Sequence, residues 1–149
     1  MGTAMNKERT IKALNELLRG ELAAVETYDQ ALPLLHEDPA AAADLKECRS
    51  SHHDRVFLLR NAIIQAGGEP DDSAGAWGVF AKALEGTSKA LGPKMAVKTL
   101  EEGENHGVRD YEKLLPELEA PARSLISSEA FPQQKRTQSI VAMLRRAMS

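Results

Sequence analysis

GELAAVETYDQAL at residues 20–32 and GENHGVRDYEKLL at residues 103–115 are one pattern met twice, 83 positions apart: Gly-Glu, with Val four, Tyr seven and Leu eleven residues after the glutamate. Both tyrosines of the chain, Tyr28 and Tyr111, are spent on it. On a helix the valine lies one turn and the tyrosine two turns from the glutamate, so the side chains line one stripe. Glu21 and Glu104 therefore stand among apolar neighbours on two helices. An ionised carboxylate buried without a partner is costly, and each copy needs a cation, a proton or a hydrogen-bond donor.

Outward from the motif, the punctuation of the chain marks four helical segments and a crossover. The first runs from about Asn6 through Ile11, Leu14, Leu17, Leu18, Glu21, Val25, Tyr28 and Leu32 to near His36. Asp38-Pro39 reads as N-cap plus first-turn proline of a second helix, which carries Leu45, His52, His53, Val56, Leu59 and Ile63 and stops at Gly67-Gly68. From Gly68 to Gly92 the chain is rich in Gly, Pro, Asp and Ser, with a short amphipathic piece around Trp77 to Leu84, and reads as a crossover pinned by Trp77 and Phe80. Pro93 restarts a helix that carries the second motif to about Pro116, and Pro121 opens a last segment through Ile140, Val141, Leu144 and Met148, kinked or interrupted at Pro132. Strand signals are nearly absent. Two hairpins joined by a long crossover, each opening with the same motif, predict an all-α four-helix bundle with internal pseudo-twofold symmetry. The second helices align at a shift of 85, Leu59-Arg60-Asn61-Ala62-Ile63 on Leu144-Arg145-Arg146-Ala147-Met148, which sets Gln138 opposite His53 and Lys135 opposite Ser50.

Composition agrees with one buried domain over residues 6–148, the first five residues being read as a disordered N-terminus outside the fold. A net charge of -3 argues against a nucleic-acid binder, and Lys135-Arg136 and Arg145-Arg146 read as a solvated face. With a single cysteine, Cys48, expected to be an inert thiol, no membrane-length apolar run and no signal peptide, the expected compartment is the cytoplasm. A homodimer is expected, with the Ala40 to Ala43 surface allowing close helix approach.

These residues resemble the ferritin-like superfamily, whose bundles hold a di-iron site with one Glu from each of two helices and a Glu-x-x-His from each of the others. Glu21 and Glu104 match the single glutamates, His53 the histidine of the second helix, Tyr28 the tyrosine beside the ferroxidase glutamate, and Gln138 a glutamine some ferritins carry on the last helix. The chain is most similar, over roughly residues 10 to 148, to a bacterial ferritin-like domain family of unknown function, DUF2383, through Arg19-Gly20-Glu21 with Tyr28, His53 with Leu59 and Gly67-Gly68-Glu69-Pro70, and Gly103-Glu104 with Tyr111.

The resemblance implies a metal centre, and the departures from it reduce that centre. Where a bridging glutamate should precede each histidine by three residues stand Ser50 and Lys135, so the expected site is at most mononuclear: iron, zinc or manganese held by Glu21, His53, Glu104 and Gln138, with Tyr28, Tyr111 and Lys135 around them. The competing reading is a metal-free bundle with a stress or interaction role, in which Lys135 replaces the metal as counter-ion and the glutamates accept hydrogen bonds from Tyr28, Tyr111 or Lys135. His106 points off the stripe and is expected to pair with Glu102. Whether the protein is an enzyme, and on what substrate, does not follow from these residues.

Overall fold

Heptad spacing builds the two motif helices. Leu14, Glu21, Tyr28 and Leu35 are seven apart and all buried, and so are Val97, Glu104 and Tyr111 with Leu118 beyond them. The computed structural model describes residues 3–74 and 92–148. In it α1 (Thr3–Ala31) begins earlier than Asn6 and runs into a 3-10 turn at Leu32–Leu35; α2 is Pro39–Gln65 and α3 Pro93–Leu114. The amphipathic piece around Trp77 to Leu84, with its pinning role for Trp77 and Phe80, lies outside the described residues.

Local chemistry sets the ends. The Asp38 carboxylate accepts from the Ala41 N–H at 3.1 Å and Pro39 occupies the first turn of α2. At the other end Gly67 adopts φ 90°, its N–H donating to the Ile64 carbonyl at 3.0 Å and that of Gly68 to the Ile63 carbonyl at 2.9 Å. This is the Schellman arrangement, which a glycine enters without the steric penalty a Cβ would bring.

The fourth bundle helix is assembled from α4 (Ala120–Leu125), a π turn at Ile126–Ala130 and α5 (Phe131–Met148). Pro132 has no N–H and its ring presses on the carbonyl four residues back. The wider π turn, in which the Phe131 N–H donates to the Ile126 carbonyl, absorbs this without breaking the helix. The interruption expected at Pro132 thus takes the form of a bulge just before it.

α1 packs on α2 and α3, and α5 packs on α3 and α2, closing an all-α four-helix bundle with no strand among the described residues. Its interior has three layers. One apolar end gathers Leu14, Leu18, Leu59, Ile63, Leu118 and Ile126; the other gathers Leu35, Leu45, Cys48, Val97, Leu100 and Val141. Burial of such side chains contributes about 1.5–3 kcal/mol apiece. Between the two ends lie Glu21, His52, Arg55, Glu104, Gln134 and Thr137, all buried. No described helix is long and apolar enough to cross a membrane.

Candidate functional site

Every bundle helix sends polar side chains into the middle layer: Glu21 and Tyr28 from α1, His52 and Arg55 from α2, Glu104 and Tyr111 from α3, Gln134 and Thr137 from α5. His52 bridges the two carboxylates. Its Nδ1 is 2.5 Å from Glu21 Oε1 and its Nε2 2.7 Å from Glu104 Oε2. Only an imidazolium donates from both nitrogens, so His52 is charged here. Burial pulls its proton affinity down, yet Glu104 and Glu21 outweigh burial and the opposing Arg55, and its pKa lies above the usual histidine value.

The tyrosines cross over. Tyr28 donates to Glu104, the glutamate of the other motif, and Tyr111 donates to Glu21 Oε2 at 2.6 Å. Each hydroxyl reaches the glutamate of the other motif, because a carboxylate is a stronger acceptor than a second phenol. Burial first and the adjacent carboxylate second push both phenols well above their ordinary pKa, which keeps them protonated donors.

Arg55 is fully buried. Its Nη1 lies 3.5 Å from Glu21 Oε2 and donates to Gln134 Oε1 at 2.5 Å, its Nη2 donates to the Thr137 hydroxyl at 3.1 Å, and its Nε to the Ser51 carbonyl at 3.3 Å. The Thr137 hydroxyl donates to Glu104 Oε1 at 2.8 Å, where Gln134 Nε2 also donates at 2.8 Å. All four carboxylate oxygens are therefore occupied, and no buried side-chain nitrogen or oxygen among the described residues lacks a partner. Two carboxylates face one imidazolium and one guanidinium. Burial would raise the carboxyl pKa values, but Arg55 and His52 at Glu21, and His52 at Glu104, hold both below the usual range.

Of the expected site, Glu21, Glu104, Tyr28 and Tyr111 come together, and three residues do not. His53 is exposed and meets Phe57 in a tilted ring contact, with centroids 5.5 Å apart. Gln138 is half-buried and donates to Asn105 Oδ1 at 2.8 Å. Lys135 is exposed, with its ammonium 4.3 Å from the Phe131 ring centroid, so it is not the counter-ion. The inward positions are each one residue earlier or belong to a residue not considered. At the same shift of 85 His52 stands opposite Thr137, both buried, whereas Arg49, opposite the buried Gln134, is half-buried and pairs with Asp29 at 2.5 Å. The heptads carried the signal: Leu45, His52 and Leu59 share one phase, Cys48, Arg55 and Ala62 another, and Gln134 lies seven before Val141. His106 meets Asp110 at 3.7 Å instead of Glu102.

A metal ion at this place would need carboxylate oxygens free to bind and a neutral imidazole nitrogen. Here each oxygen holds a donor, His52 is doubly protonated, and Arg55 supplies a fixed positive charge. Among the described residues no group of three or more His, Cys, Asp or Glu side chains is arranged to hold a metal ion. In this arrangement the groups satisfy one another, and a metal ion would have to displace their donors to bind. Beside the network a cavity of about 50 Å³ reaches Glu21, His52 and Glu104 from between α1 and α3, where Gly20, Ala24, Gly103 and Gly107 keep the helices' facing sides small.

No curated protein and no solved structure matches the chain. The family model for a domain of unknown function, DUF2383, matches residues 9–117, a stretch that carries Glu21, Tyr28, His52, Arg55, Glu104 and Tyr111 and ends before Gln134 and Thr137, and the chain belongs to that family.

Proposed function

We propose that this protein is a ferritin-like bundle whose metal centre has been exchanged for a charge network made only of protein groups, and that it serves as a rigid helical scaffold in interactions, as a homodimer, without metal oxidation chemistry. The observation that carries this reading is Arg55, a buried guanidinium that meets Glu21, Gln134 and Thr137 together. In the di-metal pattern the sequence resembles, positions 49 and 134 would carry glutamates and 137 a histidine. Arg49, Gln134 and Thr137 replace three ligands and remove two negative charges, and Arg49 and Arg55 each bring a positive charge. A second cation is disfavoured here: a divalent ion within about 4 Å of Arg55 would be repelled by several kcal/mol at the effective dielectric of such sites.

The test is metal analysis of the chain purified without chelators, beside a variant in which Arg49→Glu, Arg55→Leu, Gln134→Glu and Thr137→His rebuild Glu-x-x-His on two helices. The parent should carry well under one iron, zinc or manganese per chain and the variant about two. The observation favouring the other reading, one metal held by Glu21, His52 and Glu104, is the cavity that touches all three. One tightly held ion per parent chain, lost in Glu104→Gln, would establish that reading in place of ours. Light scattering checks the dimer.

A further inference from the structure

At the end of the bundle where the first turns of α3 meet the last turn of α5, a cavity of about 250 Å³ is rimmed by Lys94, Lys98, Arg145 and Arg146 and walled by Met95, Val97 and Met148. No acidic side chain lines it among the described residues, although Arg145 also meets Glu101 at 3.2 Å. Four cations around one concavity run against the sign of a chain whose net charge is -3. The arginines alone have a plain explanation, since cations in the last turn of α5 suit the helix dipole. The lysines do not. They stand one turn apart with like charge, Lys94 in the first turn of α3, the end that favours anions and has no acidic residue, and Lys98 one turn further in. The placing of Lys94 and the like-charge spacing of the pair work against the helix, and an anion arriving in the cavity accounts for them. Two guanidinium and two ammonium side chains lining one cavity beside an apolar wall suit the oxygens of phosphate, with the wall left for the rest of the ligand.

We propose that this cavity binds a polyanionic phosphate group, held by Lys94, Lys98, Arg145 and Arg146, at a site separate from the buried network. Titration calorimetry of the full chain with sodium tripolyphosphate near physiological salt should give saturable one-site binding. Lys94→Ala with Lys98→Ala should weaken it about tenfold, the size expected for losing charge-assisted contacts, while Lys12→Ala with Lys113→Ala, equal in charge and exposed elsewhere, should change it less than about twofold. Co-sedimentation with phosphatidylcholine vesicles containing phosphatidic acid separates the sources. Retention on those vesicles that the Lys94/Lys98 variant loses assigns a lipid headgroup; calorimetric binding without retention assigns a soluble phosphate compound. All four lysines are exposed, so circular dichroism should show every variant folded. Absence of saturable binding to either probe, or an equal loss in the two double variants, overturns the proposal.

Discussion

Removing Arg55 isolates what a single side chain holds together. Arg55→Ala leaves Glu21 short of a charge partner and strips donors from Gln134 and Thr137, and breaking a buried pair from one side costs about 3–5 kcal/mol. Urea unfolding should record that loss. Arg55→Lys keeps the charge but loses the planar fork and should recover only part of it. The same network sets the pH response. Glu21 and Glu104 have depressed pKa values, so their contribution is present above the ordinary carboxylate value of 4.5 and disappears as pH falls through their folded values. His52 has a raised pKa, so its contribution is complete below 6.5 and disappears as pH rises through its folded value. Stability should therefore peak between about pH 4.5 and 6.5, with the alkaline decline abolished in His52→Gln. A flat profile above pH 6.5 in the parent would mean that His52 is neutral and the charge balance is wrong.

Helices α1 and α3 carry the same motif but not the same tolerance, and glycine separates them. A Cβ at Gly20 meets nothing within 4 Å, so Gly20→Ala should stabilise α1 by roughly 0.5–1 kcal/mol through the helix preference alone. A Cβ at Gly107 would lie 2.6 Å from Gln134 Nε2, an amide that cannot swing away without leaving Glu104 and Arg55. Gly107→Ala should destabilise, and thermal melts of the two variants should move in opposite directions. Sequence pattern made the elements legible: the doubled motif, Asp38-Pro39, Gly67-Gly68 and Pro93 mark the helix ends as observed, because caps and prolines act within a turn. It also put Glu21 and Glu104 together. What it missed turns on rotation about a helix axis, where an error of one residue is about 100°. Adjacent His52 and His53 are chemically identical, so only the phase of Leu45 and Leu59 distinguishes them. The pattern does not single out Arg55, because a basic residue reads as exposed unless an acid faces it, and that acid, Glu21, is 34 positions away.

Across the whole molecule, the charged layer lies between two apolar ends, and the question is whether it joins or divides them. Leu59 belongs to one end and Leu45 to the other, both fully buried on α2 and 14 residues, or about 21 Å, apart. Each cut to alanine should cost about 2–5 kcal/mol. Four helices run through all three layers, and the His52 and Arg55 contacts tie α2 to α1, α3 and α5 at the midpoint. If that tie couples the ends, both single variants unfold in one transition by far- and near-ultraviolet circular dichroism, and the double variant loses the sum to within about 0.5 kcal/mol, as sites this far apart do in a single cooperative unit. Arg55→Ala should weaken the coupling first. Two separate transitions in Leu45→Ala, with the parent showing one, would show that the polar layer insulates the two ends and that the bundle owes its cooperativity to the apolar helix contacts alone.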